Sequence, residues 1–119
     1  MNTLFLFSLI FEAIFGIGFI LVPAKLLGPM GVILNDTATT FARMFGTAII
    51  SFTFLLFFAR ASEKIEFKKG VVRSMFVYYL LSSIVLLQTQ LAGKMNAMGW
   101  SVVVLHFVFT LWFGFYLRK

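Results

Sequence analysis

Three side chains able to carry a proton or a charge lie inside apolar runs: Glu12 in LIFEAIFGI, Arg43 in TTFARMFGTAII and His106 in SVVVLHFVFTLWFG. A carboxylate among Leu, Ile and Phe must be protonated, paired with a cation or turned toward water. An isolated charge at the centre of a bilayer costs at least about 2.5–3.5 kcal/mol. Arg43 has the reach to extend along a neighbouring helix, so a Glu12–Arg43 contact inside the fold is expected. The alternative has Arg43 snorkelling to lipid headgroups and Glu12 protonated.

The spacing around these residues places each on a face with small or polar neighbours. Ser8, Glu12 and Gly16 align on one helical face, as do Thr39, Arg43, Gly46 and Thr47 on another. Gly99, Val103, His106, Thr110 and Gly114 share a third. Ser82, Ser83 and Gln90 can add hydroxyl and amide partners, with Gln88 on a different face. The expected site is thus a buried polar cluster of Glu12, Arg43, His106, Gln90 and Ser82. Gly16, Gly46, Gly99 and Gly114 are expected to let helices approach closely. The plainer reading of His106 and the serines is interhelical hydrogen bonding worth about 0.6 kcal/mol each.

Several chemistries are missing their residues. The chain has no cysteine, which removes disulfides, iron–sulfur clusters and thiolate metal sites. A single histidine cannot supply both axial ligands of a b-type haem, and Glu12 with His106 alone is too few ligands for a metal. No cofactor is therefore expected. The GIG at Gly16 to Gly18 is not a phosphate loop, because no strand precedes it. The 17 phenylalanines are spread around the helices, as lipid-facing or packing residues would be.

The elements that must position these residues follow from composition. Of 119 residues 61% are hydrophobic and only 12% charged, and the mean hydropathy is +1.03. A bilayer is the natural solvent for such a chain. A hydrocarbon core of about 30 Å needs roughly 20 apolar residues of helix. Four runs qualify, at about Thr3 to Val22, Ala38 to Ala59, Val71 to Ala92 and Ala97 to Leu117. The MNTLFLF start has no basic n-region and no cleavage site follows the apolar run, so the first run is expected to remain as an anchor. The connections are short, which predicts an all-α, up-down four-helix bundle forming one domain over residues 1–119.

Orientation follows from the basic residues. RASEKIEFKKGVVR carries Arg60, Lys64, Lys68, Lys69 and Arg73, and the end of the sequence adds Arg118 and Lys119, whereas the other connections hold only Lys25 and Lys94. Both termini are therefore expected to be cytoplasmic. The net charge of +6 sits in loops and at the end of a greasy chain, which points to lipid headgroups rather than nucleic acid.

Three stretches, PAKLLGPMG (Pro23 to Gly31), ARMFG (Ala42 to Gly46) and MNAMGW (Met95 to Trp100), together resemble the DoxX-like group of small four-helix bacterial membrane proteins. That resemblance implies the four-helix fold, a bacterial cytoplasmic (inner) membrane and importance for Arg43. It implies little chemistry, and Glu12 matches no motif of the group. LIFEAIFGI is also similar to the first span of small multidrug-resistance transporters, but the third span, MFVYYLLSSIVLLQTQL, lacks the Trp-centred, glycine-rich pattern of that group. Packing features without a complete catalytic set lead to an expected role as a non-enzymatic accessory or assembly subunit. Such a subunit would associate with itself or with a larger membrane complex. The alternative is a proton-linked small transporter or hydrophobic-ligand binder using Glu12.

Overall fold

The computed structural model describes residues 1–119. The chain is helical throughout: α1 (Asn2–Leu21), α2 (Pro23–Leu27), a 3-10 turn (Gly28–Met30), α3 (Asp36–Ala61), α4 (Ile65–Leu91) and α5 (Gly99–Leu117). Helices α1, α3, α4 and α5 are each long and apolar enough to cross a membrane. The protein is accordingly a helical, multi-pass membrane bundle.

The helix boundaries have local causes. Pro23 disfavours helical backbone at Val22, which adopts φ −140° and ends α1, and the same proline then opens α2 at a position where its missing N–H costs nothing. Asn35 caps α3 two residues earlier than hydropathy suggests: its Oδ1 accepts from the Ala38 N–H at 2.8 Å. The largest departure is at α4, which begins at Ile65 rather than near Val71, leaving only Ser62, Glu63 and Lys64 outside helices in that connection. Hydropathy stops where charge begins, but a helix does not. Glu66 and Lys69 pair at 3.4 Å one turn apart, and Lys68 Nζ donates to Asn2 Oδ1 at 2.6 Å.

The bundle is built from two closely packed pairs, α1 with α3 and α4 with α5. At the α1–α3 crossing, a methyl on Gly46 would stand 2.9 Å from the Gly16 carbonyl oxygen and 2.8 Å from Phe19 Cβ. This is the close approach of small residues by which helices associate in lipid. A continuous core of Leu4, Phe5, Leu56, Val72, Met75, Tyr79 and Phe113 fills the half of the bundle nearer the termini. At the opposite end, the two connections are fastened together: Asn96 N–H donates to the Met30 carbonyl at 2.9 Å, and Asn96 Nδ2 to the Pro29 carbonyl at 2.9 Å. Gly31 turns beside this clip at φ +79°, a backbone conformation suited to glycine. Two of the stretches quoted above for their family likeness, PAKLLGPMG and MNAMGW, are thus in contact.

Glycine replacements separate the crossing from a mere tolerance of glycine. Gly46→Ala is expected to lower stability by about 1–3 kcal/mol, because the obstructing atom is backbone and cannot swing away. Gly70→Ala, within α4 and with open space around it, is expected to stabilise by up to about 1 kcal/mol through helix propensity. Thermal unfolding in detergent micelles reads both; equal shifts for the two would refute a tight α1–α3 crossing.

Candidate functional site

Ser8 and Glu12, one turn apart on α1, straddle the hydroxyl of Tyr79 on α4, and all three residues are fully buried. Tyr79 Oη donates to Glu12 Oε1 at 2.6 Å. Its only proton is then committed, so the 2.8 Å contact between Ser8 Oγ and Tyr79 Oη has serine as donor. The tyrosine ring is held by stacking on Phe109, with centroids 4.9 Å apart, and on Phe113 at 5.5 Å. One carboxylate oxygen is therefore fixed by a rigid donor. The other, Glu12 Oε2, is buried without any hydrogen-bond partner.

Glu12 stands in the wall of a cavity of about 400 Å³. The walls are mainly aromatic and aliphatic, with Phe11, Phe15, Phe19 and Phe45 prominent, and the polar contributions come from Glu12, Tyr78, Ser82 and His106. Phe45 on α3 and Leu81 and Val85 on α4 line the cavity and are also exposed, so on this side its wall is the surface of the bundle. Leu27, Met30 and Met95, carried by the two connections that Asn96 clips together, close its end. A mainly apolar concavity with a few fixed polar groups is the usual form of a small-molecule site.

His106 reaches the cavity from α5. Its Nδ1 lies 2.8 Å from the Val102 carbonyl, which can only accept, so Nδ1 carries the hydrogen and Nε2 is an acceptor in the neutral ring. The ring is packed edge-on to Phe11 at 5.6 Å and to Tyr79 at 5.7 Å. Below it, Thr110 Oγ1 donates to the His106 carbonyl at 2.8 Å, which leaves Ser83 Oγ as donor to Thr110 at 3.2 Å. These bonds join α4 to α5 and set the height of the histidine.

Of the expected cluster, Glu12, His106 and Ser82 meet at this cavity, whereas Arg43 and Gln90 do not. Arg43 is exposed and makes no ion pair with Glu12; the one ion pair in the chain is Lys69–Glu66. The helix crossing explains the correction. Gly46 lies against Gly16, Phe19 and Ile20, while Ile49 and Ile50 lie against Gly16. Arg43 is thus displaced toward the far end of α1, roughly 15 Å along the axis from Glu12 by helix rise. Gln90 is buried, but at the closed end: its Nε2 donates to the Asn96 carbonyl at 3.0 Å, and its Oε1 has no partner. Gly99 lies directly against that Oε1, and Gly114 lies against Phe76, so both mark close contacts between α5 and α4.

Tyr79 is the residue that sequence reasoning missed. The signal was present: a tyrosine in the middle of a span, rather than in an interfacial belt, has a hydroxyl that needs a partner in a medium offering none. No family model, characterised protein or solved structure matches this chain.

Removing the tyrosine hydroxyl should cost more than removing the serine. Tyr79→Phe strips Glu12 of its only donor, with an expected loss of about 1–3 kcal/mol, whereas Ser8→Ala leaves the Tyr79–Glu12 bond in place and should cost about 1 kcal/mol. Thermal melting of the two variants in the same detergent measures the order; the reverse ranking would contradict it.

Proposed function

We propose that this protein is a non-enzymatic membrane protein that binds a lipophilic molecule with a basic, hydrogen-bond-donating head. Glu12 is the anchor, and the ligand enters from the lipid between α3 and α4. The observation carrying this reading is the unpartnered Glu12 Oε2 on a side chain in the cavity wall. A buried acceptor with no donor is expensive, and a ligand that supplies the donor recovers that cost. His106 Nε2 adds a second acceptor, and the phenylalanine faces favour a cationic head through their π-systems.

The polar chain supports binding over proton-linked transport. It runs from Glu12 through Tyr79 to Ser8, and the next layer is Leu4, Phe5, Val72 and Met75, all buried and apolar. A proton on Glu12 has no polar route onward toward the termini. A role as accessory or assembly subunit of a larger complex is the competing reading; it requires no ligand, and so the binding experiment separates the two.

The same proposal places the protein in a bacterial cytoplasmic membrane, as an up-down bundle with both termini inside. The support is the basic bias of the Arg60 to Arg73 segment and of Arg118 and Lys119, together with the likeness of three short stretches to DoxX-like proteins.

Titration of the purified protein with a naphthyl-alkyl primary amine, followed by its fluorescence, is expected to saturate. Binding should weaken on acidification, because protonating Glu12 removes the charge that holds the ammonium. Glu12→Gln should weaken binding by about tenfold or more, as expected for a charged hydrogen bond. The N-acetylated probe should bind poorly. Equal binding of both probes, or no effect of the substitution in a folded variant, would overturn the reading. For topology, cysteines placed at Lys25 and Lys94 should react with an impermeant maleimide on intact cells, and one at Lys68 should not; the reverse labelling would invert the proposed orientation.

A further inference from the structure

A second site lies at the end of the bundle that carries the termini. Helix α4 has 27 residues and α5 has 19. At the rise of an α-helix these measure about 40 Å and about 28 Å, against a hydrocarbon core of about 30 Å. The two helices are joined by a short turn at one end, where Gly99 lies against Gln90. The whole excess of α4, about 12 Å, therefore projects past α5 at the other end. Within this step is a groove of about 240 Å³, lined by Lys69, Val72 and Arg73 of α4, by Tyr116 and Leu117 at the end of α5, and by Arg118 and Lys119 just beyond it.

Four cations line this groove and no acidic side chain does. The nearest neutralisation is the exposed Lys69–Glu66 pair at 3.4 Å; Arg73, Arg118 and Lys119 have no ion pair. Like charges gathered in one concavity repel each other, and the arrangement favours an anion between them. Two guanidiniums from different helices suit the oxygens of a phosphoryl group, which they can bind through paired N–H donors.

The surroundings specify where that phosphoryl group comes from. The groove is at the level where an α5 of membrane-spanning length ends, and Tyr116 in its wall, with Trp112 one turn further in, are residues suited to an interface. Leu117 in the groove wall and Phe115 beside it, whose ring carries the Lys119 ammonium 4.4 Å from its centroid, are both exposed, so apolar surface on which acyl chains can lie adjoins the charges. We propose that this groove is a specific binding site for the phosphoryl headgroup of an anionic phospholipid, held between Arg73 of α4 and Arg118, the residue that follows α5. The site is independent of the Glu12 cavity and of whatever ligand that cavity takes.

The test is native mass spectrometry of the whole chain released from micelles containing equal amounts of phosphatidylglycerol and phosphatidylcholine with identical acyl chains. The wild type is expected to retain one phosphatidylglycerol in clear preference to phosphatidylcholine. The double variant Arg73→Gln/Arg118→Gln should lose that preference by about tenfold. The variant Lys25→Gln/Lys94→Gln, which removes the same charge from the other end, should keep it. Both arginines are exposed, and an unchanged melting temperature certifies that the double variant is folded. Equal retention of the two lipids by the wild type would overturn the site, as would equal loss in both double variants. Displacement of the lipid by inorganic phosphate at matched ionic strength would assign the groove to a free anion and overturn the lipid assignment.

Discussion

The structure turns on one hydrogen bond, from Tyr79 Oη to Glu12 Oε1 at 2.6 Å. A carboxylate inside an apolar bundle is tolerable only with a donor, and here the donor is an aromatic hydroxyl clamped by two phenylalanine rings. The clamp leaves Glu12 half satisfied. Tyr79 serves one carboxylate oxygen, and the second, Oε2, is buried without a partner. A flexible cation such as Arg43, had it reached Glu12, would have neutralised the group.

The remaining architecture can be read as support for that arrangement. The core of Leu4, Phe5, Met75 and Phe113 seals the polar chain below Ser8, while the Gly16–Gly46 crossing brings α3 close to α1 without filling the space beside Glu12. Phe45 of α3 and Leu81 and Val85 of α4 border the cavity, and Leu27, Met30 and Met95 of the connections joined by Asn96 line its end. The basic groove beside Arg73 and Arg118 lies apart from the cavity, at the projecting end of α4.

Much of this was legible in the residues. Four apolar runs of spanning length defined the helices, and the alignment of Ser8, Glu12 and Gly16 on one face of α1 is how they occur, all three buried. His106 and Ser82 line the same cavity as Glu12. Two things were not legible. Partner choice between Arg43 and Tyr79 depends on the axial offset of α3 against α1, which the glycine crossing sets and helical periodicity does not contain. The cavity depends on how all four long helices pack together, so phenylalanines that look lipid-facing in projection, such as Phe15 and Phe45, prove to wall it. The early start of α4 has a simpler cause: hydropathy reports where lipid ends, and the Glu66–Lys69 turn stays helical beyond it.

The most direct test of the central claim is a pair of double-mutant cycles on stability, one coupling Tyr79→Phe with Glu12→Gln and the other coupling Arg43→Gln with Glu12→Gln. Contacting groups in one hydrogen-bond network show interaction energies of about 0.5–3 kcal/mol, and separated ones add to within about 0.5 kcal/mol. The account predicts clear coupling for the tyrosine cycle and additivity for the arginine cycle. Coupling of Glu12 to Arg43 with additivity at Tyr79 would contradict it.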